Sequence, residues 1–332
     1  MMRKIKNYVN TSDILRPLVQ PLRIMKRKMV EYKLREVKKS FGNSNPDKKI
    51  YVIRRADANC GLFSYFITVL GHLKIAEENG YVPVVDMQNY WNTYLYQNEV
   101  GKVNSWEYFF EPVSSVRVED AYRSKNVILS NGGIPPIIPE GTICSLMNED
   151  GAMNEWRILY KKYIHLQSDV KEKMNQERLK LIQPDERILG VICRGTDYTK
   201  FKPAGHWIQP EVSVVVEKAR KCLKEWNCHK IFLATEDIDV YKEFQKAFPG
   251  KVIVNSKQWV RYDGKQGINN YGFSRENDKM LQGLEYLTTI YILSQCNCLI
   301  GGRAGGTVGA MIMSEGYEKQ YFWDLGKYGF VN

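Results

Sequence analysis

The sequence contains no long apolar run. None of its 332 residues belongs to a stretch approaching the ~20 apolar residues that a membrane-spanning helix requires. Its first residues are basic and no apolar block follows them, which predicts that they do not form a secretory signal peptide. The seven cysteines are widely scattered, as is usual for reduced thiols in a cytosol. We therefore expect a cytoplasmic protein.

Recognisable metal and nucleotide-hydrolysis motifs are also scarce. Cys296 and Cys298 have C-x-C spacing, but no second His/Cys pair completes a zinc site, so we interpret both as buried apolar residues. No cluster of histidines and carboxylates stands out as a metal site, and we expect neither a metal nor a cofactor. A Walker A sequence is missing, which disfavours a kinase or NTPase mechanism.

Positive charge is concentrated in one segment of the chain. Residues 1–49 carry 14 Lys/Arg against 4 Asp/Glu, whereas the remainder carries 34 against 33. A nearly neutral body argues against a nucleic-acid-binding protein, which needs a basic face on its folded part. Residues 1–40 also contain apolar side chains, so this basic arm either lies on an anionic membrane or packs loosely on the body. Pro17 and Pro21 limit any helix there.

Short apolar runs alternate with helical patterns along the rest of the chain. This alternation predicts an α/β protein with parallel sheets covered by helices. We place an N-terminal Rossmann-like domain at residues 50–183 and a C-terminal one at residues 184–332. The strands are predicted at 50–54, 81–86 and 127–130 in the first domain, and at 188–193, 230–234, 252–254 and 298–300 in the second.

The segment from Arg187 to His206 carries the clearest functional signal. A buried strand is followed at once by a basic side chain, a glycine, a hydroxyl and a carboxylate, at Arg194, Gly195, Thr196 and Asp197. Ligands bind beyond the carboxyl ends of strands in open α/β sheets, and an arginine there is suited to phosphate oxygens. The alternative is an inert loop in which Arg194 pairs with Asp197.

Three further loops of the second domain should reach the same edge of the sheet, at residues 235–237, 255–275 and 301–307. Thr235 and Asp237 follow the second strand. The glycine-rich loop at 301–307 follows the last one, where close backbone approach would admit a diphosphate. We predict that this loop binds the diphosphate through Arg303, Gly305, Gly306 and Thr307. The alternative is a structural role, in which the glycines allow a tightly packed turn.

The first domain has a weaker signal. Asn59 and Gly61 lie in a strand-to-helix turn, and Asp86 ends the second strand, so we predict that all three face a ligand on the acceptor side. A plain β-α turn and a capping carboxylate are the alternatives. Residues 89–112 are rich in aromatics, which suits either sugar contacts or a buried insertion.

The order of these motifs resembles the fucosyltransferase superfamily, which comprises α1,6-, bacterial α1,2- and protein O-fucosyltransferases. R-G-T-D-Y is similar to its H-x-R-R-x-D segment, and His206 follows Asp197 at the spacing of a histidine in the α1,6 group. Leu233–Asp237 and Leu293–Gln295 are similar to L-A-T-D-D and L-S-Q of that group. The resemblance covers about 120 residues of the C-terminal half.

The resemblance implies a GT-B architecture, with two Rossmann-like domains facing across a cleft. It implies an inverting, metal-independent transferase that uses GDP-fucose and a glycan or lipid-linked glycan acceptor in cell-surface polysaccharide synthesis. Arg194 would neutralise the leaving diphosphate. Asp197 or His206, with Asp237 third, would accept the proton of the acceptor hydroxyl.

This chain departs from the superfamily pattern at four positions. The histidine before the first arginine is Ile192, the second arginine is Gly195, a carboxylate is Lys202, and the guanine-contacting aspartate is Thr289. The alternatives are therefore a different nucleotide-sugar donor, or a non-catalytic protein that binds nucleotide or carbohydrate. A sulfotransferase is less expected, because no Lys-rich, P-loop-like start is present.

Overall fold

The computed structural model describes residues 35–55, 59–139, 150–194, 205–261 and 271–329, together with residues 21, 25, 28, 29, 32, 199 and 202. Within these residues strands and helices alternate, as the sequence predicts. The elements of the first half are β1 (Val37–Lys39), β2 (Ile50–Ile53), α1 (Leu62–Glu78), β3 (Val82–Val85), a 3-10 helix (Ser105–Tyr108), α2 (Val118–Ala121), β4 (Val127–Leu129), α3 (Asp150–Tyr163) and α4 (Ser168–Leu181). Those of the second half are β5 (Ile188–Ile192), α5 (Val212–Glu225), β6 (Lys230–Ala234), α6 (Ile238–Ala247), β7 (Val252–Ile253), α7 (Asp278–Ser294), β8 (Cys298–Gly302), α8 (Gly305–Met313) and β9 (Lys319–Trp323).

The strands form two sheets. The first has the order β1-β4-β2-β3, with β2 parallel to both of its neighbours and β1 antiparallel to β4. The second has the order β7-β6-β5-β8-β9 and is parallel throughout. Two mainly parallel sheets joined by helices confirm the α/β prediction. They are consistent with two Rossmann-like units.

Strands β1 and β9 are not predicted by the sequence pattern. Val37 of β1 pairs with Leu129 and Lys39 pairs with Val127, so part of the 1–49 segment belongs to the first sheet. Both strands lie at sheet edges and are largely exposed. Short, charged edge strands lack the apolar run or alternation by which buried strands are recognised.

One apolar core extends from the first sheet into the second. The face of the second sheet under α5 and α6 has its own cluster, which includes Leu189, Val191 and Phe244. The opposite face shares a cluster with the first sheet, to which Phe63 and Leu70 contribute from α1 and Ile192 and Val308 from the second unit. The two sheets are therefore joined by apolar packing of helices.

The aromatic segment 89–112 contributes to this shared core. Trp106, Phe109 and Phe110 are fully buried, which supports the buried-insertion interpretation for these three residues. Trp91 and Tyr96 differ, because they keep 40% and 38% of their surface exposed. Cys296 and Cys298 are buried free thiols, as predicted. No helix among the described residues is both long and apolar enough to cross a membrane.

Helix α8 approaches α1 closely because it carries glycine at the contact. A Cβ at Gly309 would lie 2.1 Å from Cδ1 of Phe63, far inside van der Waals contact. A Cβ at Gly305 would lie 3.5 Å from the backbone carbonyl carbon of Phe63. The glycines thus set the distance between a helix of the second unit and a helix of the first.

We expect Gly309→Val to lower the free energy of unfolding by about 2–3 kcal/mol, because the added methyl groups would overlap the fully buried Phe63 ring. Urea denaturation measures this. Gly329→Val is the matched control, since no atom of the described residues lies within 4 Å of a Cβ there and its effect should be small. Equal stability of the two variants would show that α8 does not depend on this close approach.

Candidate functional site

The second sheet has a topological switch point between β5 and β8. From β5 the chain adds β6 and β7 on one side, and then returns to add β8 and β9 on the other. Ile192 of β5 pairs with Gly301 of β8, so Arg194 and Arg303 leave neighbouring strands at corresponding positions. Ligands of open parallel sheets bind outside the carboxyl ends of strands at such a point. The topology therefore brings the two predicted arginine loops together.

The first sheet has its own switch point, between β2 and β4, and it also carries arginines. Arg54 and Arg55 follow β2 and are buried. Arg54 Nε donates to the carbonyl oxygen of Ser130 at 3.0 Å, and Arg55 Nη1 donates to Thr68 Oγ1 at 2.6 Å. These contacts are to uncharged oxygens, so they leave the positive charge of both side chains in place. The sequence pattern did not mark this pair, because Arg54 resembles the end of a strand.

The carboxyl edges of the two sheets meet where α8 touches α1. Helix α1 starts just after Gly61, its N-cap residue, and α8 starts just after β8. A Cβ at Gly305 would lie only 3.5 Å from the backbone carbonyl carbon of Phe63, so the first turns of the two helices are adjacent. The predicted acceptor-side loop around Gly61 and exposed Asn59 therefore approaches the glycine-rich loop of the second sheet.

The predicted catalytic residues are only partly described. Gly195, Thr196 and Asp197 lie outside the described residues. Arg194 is half-buried at the carboxyl end of β5, and the side chain of His206 is exposed. The roles predicted for these residues stay predictions.

Thr235 and Asp237 have internal partners in the loop after β6. Asp237 is buried and caps α6, because its Oδ1 accepts the backbone N–H of Asp239 at 2.9 Å. The Oγ1 of Thr235 accepts the N–H of Asp237 at 3.3 Å. Asp237 and Asp239 have the Asp-x-Asp spacing that some glycosyltransferases use to bind a divalent cation. The capping bond gives the carboxylate of Asp237 a structural role. The side chains of Thr235 and Asp237, both predicted to contact a ligand, therefore also stabilise the loop after β6.

The glycine-rich loop is filled largely by the protein itself. Thr307 Oγ1 donates to the carbonyl oxygen of Gly302 at 2.6 Å. A Cβ at Gly306 would lie 2.5 Å from the hydroxyl of Tyr286, and one at Gly302 would lie 2.2 Å from Oε1 of Gln209. These glycines therefore admit neighbouring side chains. What remains for a ligand is the first turn of α8, which has no side-chain cap and no acidic residue.

Arg303 is the charged group of that loop, and it is 4% exposed. Its Nη1 donates to Oδ1 of Asp324 at 3.0 Å. The guanidinium carbon lies 3.4 Å from the ring centroid of Trp207. Among the described residues, its buried Nε has no hydrogen-bond partner. Arg303 was predicted from the sequence as a site residue, but Trp207 and Asp324, which lie far from it along the chain, were not.

Asp86 has a structural role after β3. Its Oδ1 accepts the N–H groups of Gln88 and Asn89, and its Oδ2 accepts the hydroxyl of Tyr122 at 2.7 Å. The carboxylate is buried and holds the turn together. This is the capping alternative, and a ligand contact for Asp86 stays a prediction.

Within the described parts of the chain, no three His, Cys, Asp or Glu side chains are grouped so that they could hold a metal ion. No protein-family model matches the sequence. No curated protein matches it either.

Several solved structures have a similar overall shape. A NodZ α-1,6-fucosyltransferase soaked with GDP-fucose is 16% identical, with a TM-score of 0.48 over 80% of this chain and 93% of the other. The fucosyltransferase NodZ from Bradyrhizobium is 16% identical, with a TM-score of 0.49 over 85% and 97%. POFUT1 in complex with GDP-fucose is 10% identical, with a TM-score of 0.48 over 85% and 99%. The α/β fold with two mainly parallel sheets follows from the strand order and register of the chain itself.

Lys257 is an unusual group on the loop after β7, at the same edge of the second sheet. Its Nζ is buried and, among the described residues, has no hydrogen-bond partner. The ring centroid of Trp259 lies 5.1 Å from that nitrogen. Burial lowers the pKa of Lys257 to about 8, although Glu236 and Glu285 act in the opposite direction. A charged amine held this way costs folding free energy.

We expect Lys257→Met to raise the free energy of unfolding at pH 7 by about 1–3 kcal/mol, because it removes a buried charge. Between pH 8 and pH 10.5 the unfolded wild type binds more protons than the folded one, so wild-type stability rises with pH. The advantage of the variant should therefore shrink across that window. Urea denaturation at several pH values tests this. A destabilised variant at pH 7, or an advantage independent of pH, would contradict it.

Proposed function

We propose that this chain is an inverting, metal-independent glycosyltransferase with a nucleotide-sugar donor, and that the donor is GDP-fucose. The observation that carries the proposal is the pair of arginines, Arg194 and Arg303, on neighbouring strands at the switch point of the second sheet. Guanidinium groups suit phosphate oxygens, and the uncapped start of α8 adds N–H donors at the same edge. The resemblance of the R-G-T-D-Y segment supports the fucosyl donor.

In this proposal the acceptor hydroxyl oxygen attacks C1 of the donor sugar from the face opposite the nucleotide. A new C1–O bond forms while the bond from C1 to the β-phosphate oxygen breaks, and the nucleoside diphosphate leaves. Arg194 and Arg303 stabilise the negative charge that develops on the leaving group. Asp197 or His206 accepts the proton of the acceptor hydroxyl.

The proposed acceptor is a glycan or a lipid-linked glycan in cell-surface polysaccharide synthesis. It would enter from the first sheet, whose Gly61 loop approaches the glycine-rich loop. Buried Arg54 and Arg55 at the switch point of that sheet favour an acceptor that carries negative charge or many hydroxyl groups. We place the protein in the cytoplasm, with its basic N-terminal arm on the inner membrane face.

A second candidate function is a non-catalytic protein that binds a nucleotide or a carbohydrate. It is favoured by the internal bonds of Asp86, Asp237 and Thr307, three side chains predicted to face a ligand. Binding of a nucleoside diphosphate without any sugar transfer or slow donor hydrolysis would support it.

The experiment that tests the proposed function is transfer from several nucleotide sugars to glycan acceptors, with and without EDTA. We expect turnover with GDP-fucose that survives chelation, and a product of inverted anomeric configuration. Turnover that is abolished by EDTA would contradict metal-independent transfer. Calorimetry with GDP, UDP and CDP provides the second measurement, because a chain that binds none of them is not a nucleotide-sugar transferase.

Arg194→Lys should slow transfer by about ten- to a thousand-fold. Lysine keeps the charge but not the planar pair of donors, and each charge-assisted hydrogen bond that is lost contributes ~1.5–3 kcal/mol. Steady-state kinetics with the accepted donor measures the loss, and circular dichroism shows whether the variant is folded. Near-normal turnover of a folded variant would show that Arg194 does not hold the leaving group.

Deletion of residues 1–34 removes most of the basic arm and leaves β1 whole. If the arm binds membrane, the truncated protein should keep its activity but no longer sediment with vesicles that contain anionic lipid. Salt should release much of the intact protein as well, because the attraction is between charges. An intact protein that ignores anionic vesicles, or a truncated protein that does not fold, would assign the arm a structural role.

A further inference from the structure

Arg303 is held in an arrangement that its own loop does not explain. Its guanidinium group is buried, yet only one of its hydrogen bonds to a side chain is seen among the described residues, to Asp324. The buried Nε has no hydrogen-bond partner there. A buried N–H without an acceptor destabilises the folded state, so a folded protein keeps one only where something else supports or uses it.

The indole of Trp207 is that support. The guanidinium carbon of Arg303 lies 3.4 Å from the ring centroid, which is stacking distance. Lys327 places its Nζ 4.3 Å from the same centroid. Two cations therefore share one aromatic ring, and the carboxylate of Asp324 forms an ion pair with one of them, Arg303. The positive charges of Arg303 and Lys327 repel each other, so a ligand with more than one negative charge would stabilise them most.

The C-terminal segment 324–328 fixes Trp207 in place. It pairs with residues 205–208: Gly205 N–H donates to the Tyr328 carbonyl at 2.8 Å, and Ile208 N–H donates to the Gly326 carbonyl at 3.0 Å. The N–H of Tyr328 in turn donates to the carbonyl of His206 at 2.9 Å. This ribbon thus holds both Trp207 and the candidate base His206.

The backbone of Arg303 is tied to the same structure. Gln209 Nε2 donates to the carbonyl oxygen of Arg303 at 2.7 Å. Gln209 lies two residues after Trp207, so the segment that carries the indole also holds the main chain of the arginine. Backbone and guanidinium group are both set by groups that come from outside the glycine-rich loop.

We propose that Trp207 is a positioning residue that, held by segment 324–328, orients Arg303 and Lys327 toward the diphosphate of the nucleotide-sugar donor. This inference rests on the proposed function. It adds the C-terminal segment to the donor site, although no motif marked that segment in the sequence. A purely structural tryptophan would instead stabilise the fold without affecting the diphosphate through Arg303.

The test is a double-mutant cycle on nucleoside diphosphate affinity. Calorimetry first identifies which of GDP, UDP and CDP binds the wild type most tightly, and that compound is the probe. Trp207→Leu should weaken its binding about tenfold, and Trp207→Phe, which keeps an aromatic face, should stay within about threefold of wild type. In an Arg303→Lys background, Trp207→Leu should add less than about twofold.

The control is Trp226→Leu, which removes a half-buried indole after α5, at the opposite edge of the same sheet. Its effect on probe affinity should be negligible. Lys327→Gln alters an exposed side chain and should weaken binding about two- to fivefold, which keeps the proposal testable if Trp207→Leu does not fold.

Equal losses from Trp207→Leu in both backgrounds would overturn the inference, as would unchanged affinity in Trp207→Leu or in Lys327→Gln. Those results would leave the proposed function intact. A wild type that binds none of the three diphosphates would overturn both together.

Discussion

The close contact between helices α1 and α8 is the constraint on which the site depends. Phe63 fills the space that a side chain at Gly309 would need, and a Cβ at Gly305 would be in van der Waals contact with the backbone of the same phenylalanine. Helix α8 begins at Gly305, just after β8, and α1 begins at Leu62, after the loop that follows β2. The approach of their first turns therefore brings the loops at the carboxyl ends of the two sheets together. Any larger residue at Gly309 would separate the loops that follow β2 and β8.

Charge at these edges comes from buried arginines whose geometry is fixed by neutral or distant partners. Arg54 and Arg55 donate to carbonyl and hydroxyl oxygens, and Arg303 stacks on Trp207. Arg54 and Arg55 have neutral partners, so their positive charge stays available for an anion, whereas Arg303 shares its charge with the Asp324 carboxylate 3.0 Å away. Several side chains that were predicted to contact a ligand, including Asp86 and Asp237, accept hydrogen bonds that stabilise a turn or a helix cap.

The sequence predicted most of the fold and part of the site. Continuous apolar runs such as Ile188–Ile192 identify strands that are buried on both faces, and the order of motifs placed Arg194 and Arg303 at one sheet edge. Edge strands such as Val37–Lys39 have no such run. Trp207 and Asp324 escaped notice because their role depends on contacts with Arg303 from distant parts of the chain. The sequence also could not show that Thr307 and Asp237 bond to their own loops, since a hydroxyl or a carboxylate suits a ligand contact and a loop-stabilising hydrogen bond equally well.

The measurement that tests the central claim most directly is a crystal structure of the protein soaked separately with GDP, UDP and CDP. The claim predicts density for a diphosphate at the switch point between β5 and β8, with phosphate oxygens within hydrogen-bond distance of the Arg194 and Arg303 guanidinium groups. The base that gives the strongest density would identify the donor. A nucleotide bound elsewhere on the protein, or no bound nucleotide at saturating concentration, would contradict the claim.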